Sequence, residues 1–394
     1  MAYSGGERRF RYDYCLVAVI VLLTLLGLVT LYSASYLFAL NQSERFRNGL
    51  APITSNVLAA IIMVVLFPVL ALMKLDWLKK GGVILALLLL TAVLNILPFF
   101  PFFQMSNHRP GIDAMRWIVL RIGGREQSFQ PSELIKVVLP LYLAYILDKN
   151  HDRLNAFLYG PLPPAFWTCI FCLLVLRQNN FSEAVLIALT SFTICFISGI
   201  RLHWFIIALG ALILAGFFLI YGDRDGRWYQ RMSSFGRQQS DPTDSGYQIT
   251  LSEDAIKSGG FWGKGIGQGT LKTRTPEVHG DFVFASYAEE SGLVGVAFYM
   301  LLIGIFAFLC YYTAWRSRVL FTQLLAFGLV TPIIAQTMMN IAVVANMIPT
   351  TGVPLPFVSS GGSSLLMTLS SAALLVNLAR RHILSESREG LYAG

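Results

Sequence analysis

The feature that most constrains this chain is the recurrence of long apolar runs, at 14–33, 53–74, 83–103, 132–147, 163–176, 184–199, 203–221, 283–311, 319–345 and 362–379. A helix that crosses a bilayer needs about 20 mostly apolar residues. Ten runs of roughly that length cannot be hidden in one water-soluble core. Of 394 residues, 55% are hydrophobic and 13% charged, too apolar for a soluble domain. The chain is therefore expected to be an all-α polytopic integral membrane protein with about ten transmembrane helices. Runs 163–176 and 184–199 are short enough to be broken halves, whereas 283–311 is long enough to tilt or to start above the membrane.

Arg8, Arg9 and Arg11 precede the first run, which is too long for a signal peptide and lacks a small-residue cleavage site. With ten helices, this tail falls on one side with Lys74, Lys79, Lys80, Lys149, Arg153, Arg201, Arg316, Arg318, Arg380 and Arg381. Cationic short loops mark the cytoplasmic side, which places both termini there. The expected layout is a cytoplasmic tail over 1–13, one membrane domain over 14–380, and a cytoplasmic tail over 381–394. A large extracytoplasmic loop at 222–282 lies between helices seven and eight. Eight outer cations sit in that loop, and long loops translocate regardless of charge. Two readings of this surplus stand: a phosphate-rich partner, or a solvated face beside anionic lipid.

Several chemistries find no support. Cys15, Cys169, Cys172, Cys195 and Cys310 all lie in apolar runs and read as small core residues. The five histidines show no metal-ligand spacing. The cytoplasmic connections are short and contain no P-loop, so no nucleotide cofactor and no nucleic acid partner is expected. Chemistry should face outward, driven by energy stored in a substrate or a gradient.

Three outer segments gather the polar residues. In 104–136, Pro131 suits a first helical turn, and Glu133 and Lys136 follow on one face of helix four. An acid and a base inside a membrane are functional or paired with each other. Within 222–282, "AIKSGGFWGKGIGQGTLK" sets six glycines beside Lys257, Lys264 and Lys272. It is either a flexible surface loop or an amide cradle for an anion. Asp281 follows, two residues after His279, at the start of the eighth apolar run. A carboxylate at a water–lipid boundary is partly desolvated and can serve as a base. The alternative is a carboxylate that caps the helix. The third segment, 346–364, is uncharged and rich in Pro and Gly, ending in Gly361-Gly362-Ser363-Ser364. It reads as a re-entrant turn into the last helix.

In order along the chain, "AMRWI" (114–118), "QPSELIK" (130–136), "AIKSGGFWGKGIGQG" (255–269), "PEVHGDFVFASYAEESGLVG" (276–295) and "PTTGVPLPFVSSGGSSLL" (349–366) resemble the SEDS family of glycosyltransferases, typified by FtsW and RodA with SpoVE. The "PTTG" and "SSGGSS" pattern leans toward the division-type FtsW branch. The resemblance implies a polymerase of peptidoglycan glycan strands at the outer face of the bacterial cytoplasmic membrane. Its substrate would be lipid II, a disaccharide-pentapeptide on undecaprenyl diphosphate.

Carried over by motif, Asp281 is the catalytic acid, with Glu133 and Lys136 as site neighbours or phosphate contacts. Arg116, Lys264, Lys272 and Arg274 become diphosphate contacts, and His279, Ser363 and Ser364 substrate contacts. The resemblance further implies a divalent cation, Mg or Mn, and a class B penicillin-binding transpeptidase as partner. Two departures stand out. Gln178-Asn179-Asn180-Phe181-Ser182-Glu183 replaces a "QPDLGT"-like stretch, with Glu183 as a displaced acid, and Ser360 stands where tyrosine is common. A lipid II flippase and a scaffold that activates a transpeptidase are the competing readings.

Overall fold

The computed structural model describes residues 12–40, 51–100, 116–122, 125–201, 203–204, 207, 210–211, 245–274 and 280–392. Its helices are α1 (Tyr12–Leu40), α2 (Ala51–Leu72), α3 (Gly81–Ile96), α4 (Ser132–Lys149), α5 (Leu162–Arg177), α6 (Phe181–Ile197), α7 (Ser245–Gly259), α8 (Val283–Arg316), α9 (Leu320–Val344) and α10 (Gly362–Tyr392). Six are long and apolar enough to cross a membrane: α1, α2, α3, α8, α9 and α10. The helix α4 has the length but carries Glu133, Lys136, Asp148 and Lys149 near its ends. The expected span at 203–221 lies largely outside the described residues. The short runs at 163–176 and 184–199 are two separate apolar helices, α5 and α6, that pack on each other across a tight turn. Asn179 at that turn has φ +58°, a left-handed conformation that Asn tolerates better than most residues.

Burial orders the bundle. In the apolar stretch of α10, 89% of residues are buried, against 22% in α2 and 28% in α3. The two outer helices turn long apolar side chains such as Val64, Val65 and Leu90 outward, which is stable only in lipid. Polar side chains fasten the centre. Asn377 of α10 donates to the carbonyls of Leu70 (2.7 Å) and Met73 (2.9 Å), satisfying the open end of α2.

One face of the bundle collects the ends of several helices. Arg381 donates to the Met73 carbonyl (3.2 Å), Phe321 N donates to Asp148 (3.2 Å), Lys79 lies over the Phe321 ring, and Tyr12 meets Tyr312 edge to face. The start of α1 and the Arg381 end of α10 therefore share a face, as an even number of crossings requires.

The opposite face holds the polar segments. Between residue 116 and α4 stands an antiparallel hairpin that the all-α expectation did not anticipate, β1 (Ile118–Ile122) and β2 (Arg125–Phe129) with Ile118 opposite Phe129. Part of its signal was present in the β-prone run Ile118–Ile122 followed by Gly123-Gly124, whereas Arg125–Phe129 has little strand preference of its own.

The long run at 283–311 is resolved by a break. At Gly292 the backbone leaves the helical region (φ +63°, ψ −166°), so α8 is a short outer helix joined to a long membrane helix. The loop 260–269 packs into the break, and a Cβ on Gly292 would lie 2.3 Å from the Gly263 amide nitrogen. Gly292→Ala is thus expected to cost at least the ~1–3 kcal/mol of a left-handed non-glycine residue, read as a lower midpoint of thermal unfolding in detergent.

Candidate active site

The carboxylate of Asp281 stands one residue before the α8 boundary at Phe282, too early for the N-cap position, and it is half-buried. Its backbone is clamped from two sides. Asn340 of α9 donates to the Asp281 carbonyl (3.0 Å) and to the Val353 carbonyl (2.9 Å). Ser359 donates to the Gly280 carbonyl (2.8 Å) and accepts from Leu355 N (2.6 Å). Residues 280–281 are thereby fixed to the turn over 350–361 through their backbone carbonyls. Replacing Asn340 by Leu leaves two carbonyls without their donor, so a loss of ~1–3 kcal/mol is expected, measurable by denaturation in detergent.

Arg116 lies beside it: a Cβ on Gly352 (φ +70°) would lie 3.7 Å from Asp281 Oδ2 and 4.0 Å from Arg116 Nη1, so the carboxylate and the guanidinium both reach the same glycine. The guanidinium is held by the turn between α5 and α6, donating to the carbonyls of Gln178 (Nε, 3.2 Å) and Asn179. That turn is anchored in its own right. Gln178 Nε2 donates to the Asn95 carbonyl (2.8 Å), and Ser182 Oγ to the Thr351 carbonyl (2.8 Å).

Behind Arg116 lies a buried ion cluster. Lys136 Nζ is 2.7 Å from Glu133 and 3.3 Å from Glu183, and it donates to Gln336 Oε1 (3.2 Å). The Glu133 contact is close but poorly aligned as a hydrogen bond. Glu133 and Glu183 are each 1% exposed and Lys136 is 8% exposed. The displaced acid at 183 thus joins the pair expected on α4. Sequence reading missed Gln336 and Asn340, although two amides four residues apart on one face of an apolar helix were the available signal.

Lys264 and Lys272 are engaged elsewhere, each on an acid of α8. Lys272 is fully buried on Glu290, and Ser33 donates to Glu290 (2.7 Å) while accepting from Lys272 (3.1 Å). Lys264 pairs with Glu289 (2.6 Å), which also accepts from Thr270 N (2.9 Å), Thr270 Oγ1 (2.8 Å) and Leu271 N (3.0 Å).

The loop glycines do not form an anion cradle. The amides of Lys264 and Gly265 donate to the Glu289 and Glu290 carbonyls, and that of Gly267 to Ser33. Lys264 with Glu289 and Lys272 with Glu290 are mutually neutralising pairs beside the break in α8. Ser363 is buried, accepting from Gln130 N (3.3 Å) and donating to the Ser128 carbonyl (3.3 Å), and so ties α10 to the hairpin. Ser364 is buried beside it in the first turn. Arg274 ends the single helical turn Leu271–Arg274, but its side chain, like all of His279, lies outside the described residues.

A family model described as cell cycle protein, FtsW/RodA/SpoVE, matches residues 13–383. The chain belongs to the FtsW/RodA/SpoVE family. Among curated relatives, the probable peptidoglycan glycosyltransferase FtsW of Geobacter sulfurreducens is 34% identical over 373 residues, covering 94% of this chain and 96% of the relative. The protein of the same name from Bacillus subtilis is 34% identical over 392 residues, covering 96% and 93%.

Solved structures agree in fold. A chain from a study of polymerization and crosslinking by a peptidoglycan synthase complex superposes with TM-score 0.73 at 24% identity, covering 94% of this chain and 98% of that one. Rod shape determining protein RodA of Thermus thermophilus gives 0.63 at 25% identity, covering 95% and 98%. The FtsW/RodA/SpoVE fold is thus present over nearly its whole length, as a multi-pass membrane protein.

Proposed function

We propose that this protein is a peptidoglycan glycosyltransferase that joins lipid II disaccharide units into glycan strands. The observation that carries the reading is Asp281: a half-buried residue whose backbone is clamped and whose carboxylate shares the Gly352 neighbourhood with Arg116, in a chain whose full-length relatives bear that name. Asp281 takes the proton from the acceptor sugar hydroxyl. The freed oxygen attacks the anomeric carbon of the donor, the carbon–oxygen bond to the diphosphate breaks, and undecaprenyl diphosphate leaves. Arg116, with its guanidinium fixed in advance, stabilises the charge that develops on the diphosphate. Energy comes from the bond that breaks, so no nucleotide is required.

The resemblance also implied a divalent cation, Mg or Mn, as Lewis acid for the leaving group. Among the described residues, no three His, Cys, Asp or Glu side chains converge to hold a metal. The described residues offer no cage of their own there, and the steps above rest on side chains alone.

A flippase would need polar groups through the membrane depth. In the described helices, Glu133, Lys136, Glu183, Glu289 and Glu290 all lie within about two turns of one end, which favours the enzyme. The opposite face carries Lys74, Lys79, Lys80, Arg316, Arg318 and Arg381, which supports cytoplasmic termini under the positive-inside rule. A class B penicillin-binding transpeptidase is the proposed partner. FtsW relatives support a role in division. The test is stoichiometry in proteoliposomes: each glycosidic bond formed releases one undecaprenyl diphosphate, and lipid II movement without release would refute the assignment.

A further inference from the structure

The turn that carries Ser359 is held in a conformation its own residues disfavour. Phe357 is buried with φ +66°, and a bulky residue in the left-handed region persists only where its surroundings fix it. Three helices do so. The α1 backbone comes so close at Gly27 that a Cβ there would collide with the Phe357 carbonyl. From α8, the Phe306 ring meets the Phe357 ring edge to face at 5.7 Å. The third is α2, the least buried of the six membrane-length helices. Its Asn56 is nonetheless turned inward and only 1% exposed, and both ends of its amide are used. Nδ2 donates to the Ser359 carbonyl (3.0 Å), and Oδ1 accepts from Gly361 N (2.9 Å). The hydroxyl of the same Ser359 donates to the Gly280 carbonyl (2.8 Å). A continuous path thus runs from α2 through Ser359 to the residue before Asp281.

Resting on the glycosyltransferase reading above, we infer that Asn56 is a positioning residue for the polymerisation reaction: it holds Ser359 in place, and through Ser359 it sets where residues 280–281 stand. Asn340 holds the Asp281 carbonyl from α9, so the segment is fixed from two sides. Without Asn56 the Ser359 carbonyl and Gly361 N lose their partner, the left-handed turn relaxes, and the hold on Gly280 slackens. Reaction geometry is sensitive to such slack, since a misplacement of about 1 Å can cost ~10²-fold in rate.

Asn56→Leu matches the side chain's shape and removes both bonds. The expected result is turnover per folded molecule lowered about tenfold, with KM for lipid II changed by less than about twofold. Its control is Asn377→Leu, which unfastens the same two helices, α2 and α10, at their other end by removing the bonds to Leu70 and Met73. That variant should lower the melting temperature while leaving turnover per folded molecule within about twofold of wild type. The decisive readout is a double-mutant cycle with Ser359→Ala, which cuts the link to Gly280 but keeps the carbonyl that Asn56 binds. In that background Asn56→Leu should still lower the melting temperature as it does in wild type, yet cost less than about twofold in turnover.

Equal losses of turnover from Asn56→Leu in both backgrounds, wild-type turnover in Asn56→Leu, or the same loss from Asn377→Leu would overturn the inference. Should Asn56→Leu fail to accumulate, Asn56→Ser, whose short hydroxyl cannot serve both groups, runs the same cycle. Failure of the underlying reading looks different: wild-type protein would then form no strands, or strands indifferent to Asp281→Asn.

Discussion

Asp281→Asn is expected to slow glycan strand growth by about 10²–10⁴-fold, the contribution typical of a general base. The substitution preserves volume and the backbone clamp, because Asn340 and Ser359 hold the carbonyls of Asp281 and Gly280. Stability should therefore stay at the wild-type level, and membrane insertion with it. Strand length distributions on gels, compared at equal protein amounts, measure the rate. A variant that polymerises at more than a tenth of the wild-type rate would remove Asp281 from the chemistry and return it to a structural role at the head of α8.

The largest loss of stability is expected from Lys136→Met. Among the described residues the lysine is the one cation in ion-pair contact with both Glu133 and Glu183, and its removal leaves two buried carboxylates facing each other in a low dielectric. Breaking a buried pair on one side costs ~3–5 kcal/mol, and here both acids lose their contact cation. Thermal unfolding in detergent should show a melting temperature lowered by several degrees. Adding Glu133→Gln and Glu183→Gln to Lys136→Met should recover much of that loss, since the charges that made it costly are gone. If Lys136→Met alone melts like wild type, the cluster is not paired as described.

Most of the architecture was legible because the membrane requirement acts on each helix separately. Nine of the ten apolar runs coincide with described helices, and Pro131 opens α4 where it was expected. Pairings across the chain were harder to read. The lysines Lys264 and Lys272 looked like free outer cations, since Glu289 and Glu290 lie 25 and 18 residues further along and meet them only through the packing of the glycine loop on the broken α8. Glu183 could be recognised as an acid out of place, but its partner on α4 follows from how α6 packs. Asp281 stood out in the sequence because a carboxylate beside an apolar run is costly wherever the chain goes. Its clamp was missed because Asn340 lies 59 residues further on.

The most direct test of the central claim is strand synthesis by the purified protein. Full-length protein, alone and with its class B transpeptidase, would be given fluorescent lipid II with Mg or Mn, and the products resolved as a ladder. The account predicts a ladder that lengthens with time, matched by released undecaprenyl diphosphate and lost in Asp281→Asn. Absence of a ladder with every partner, while the protein carries lipid II across a liposome membrane, would contradict it.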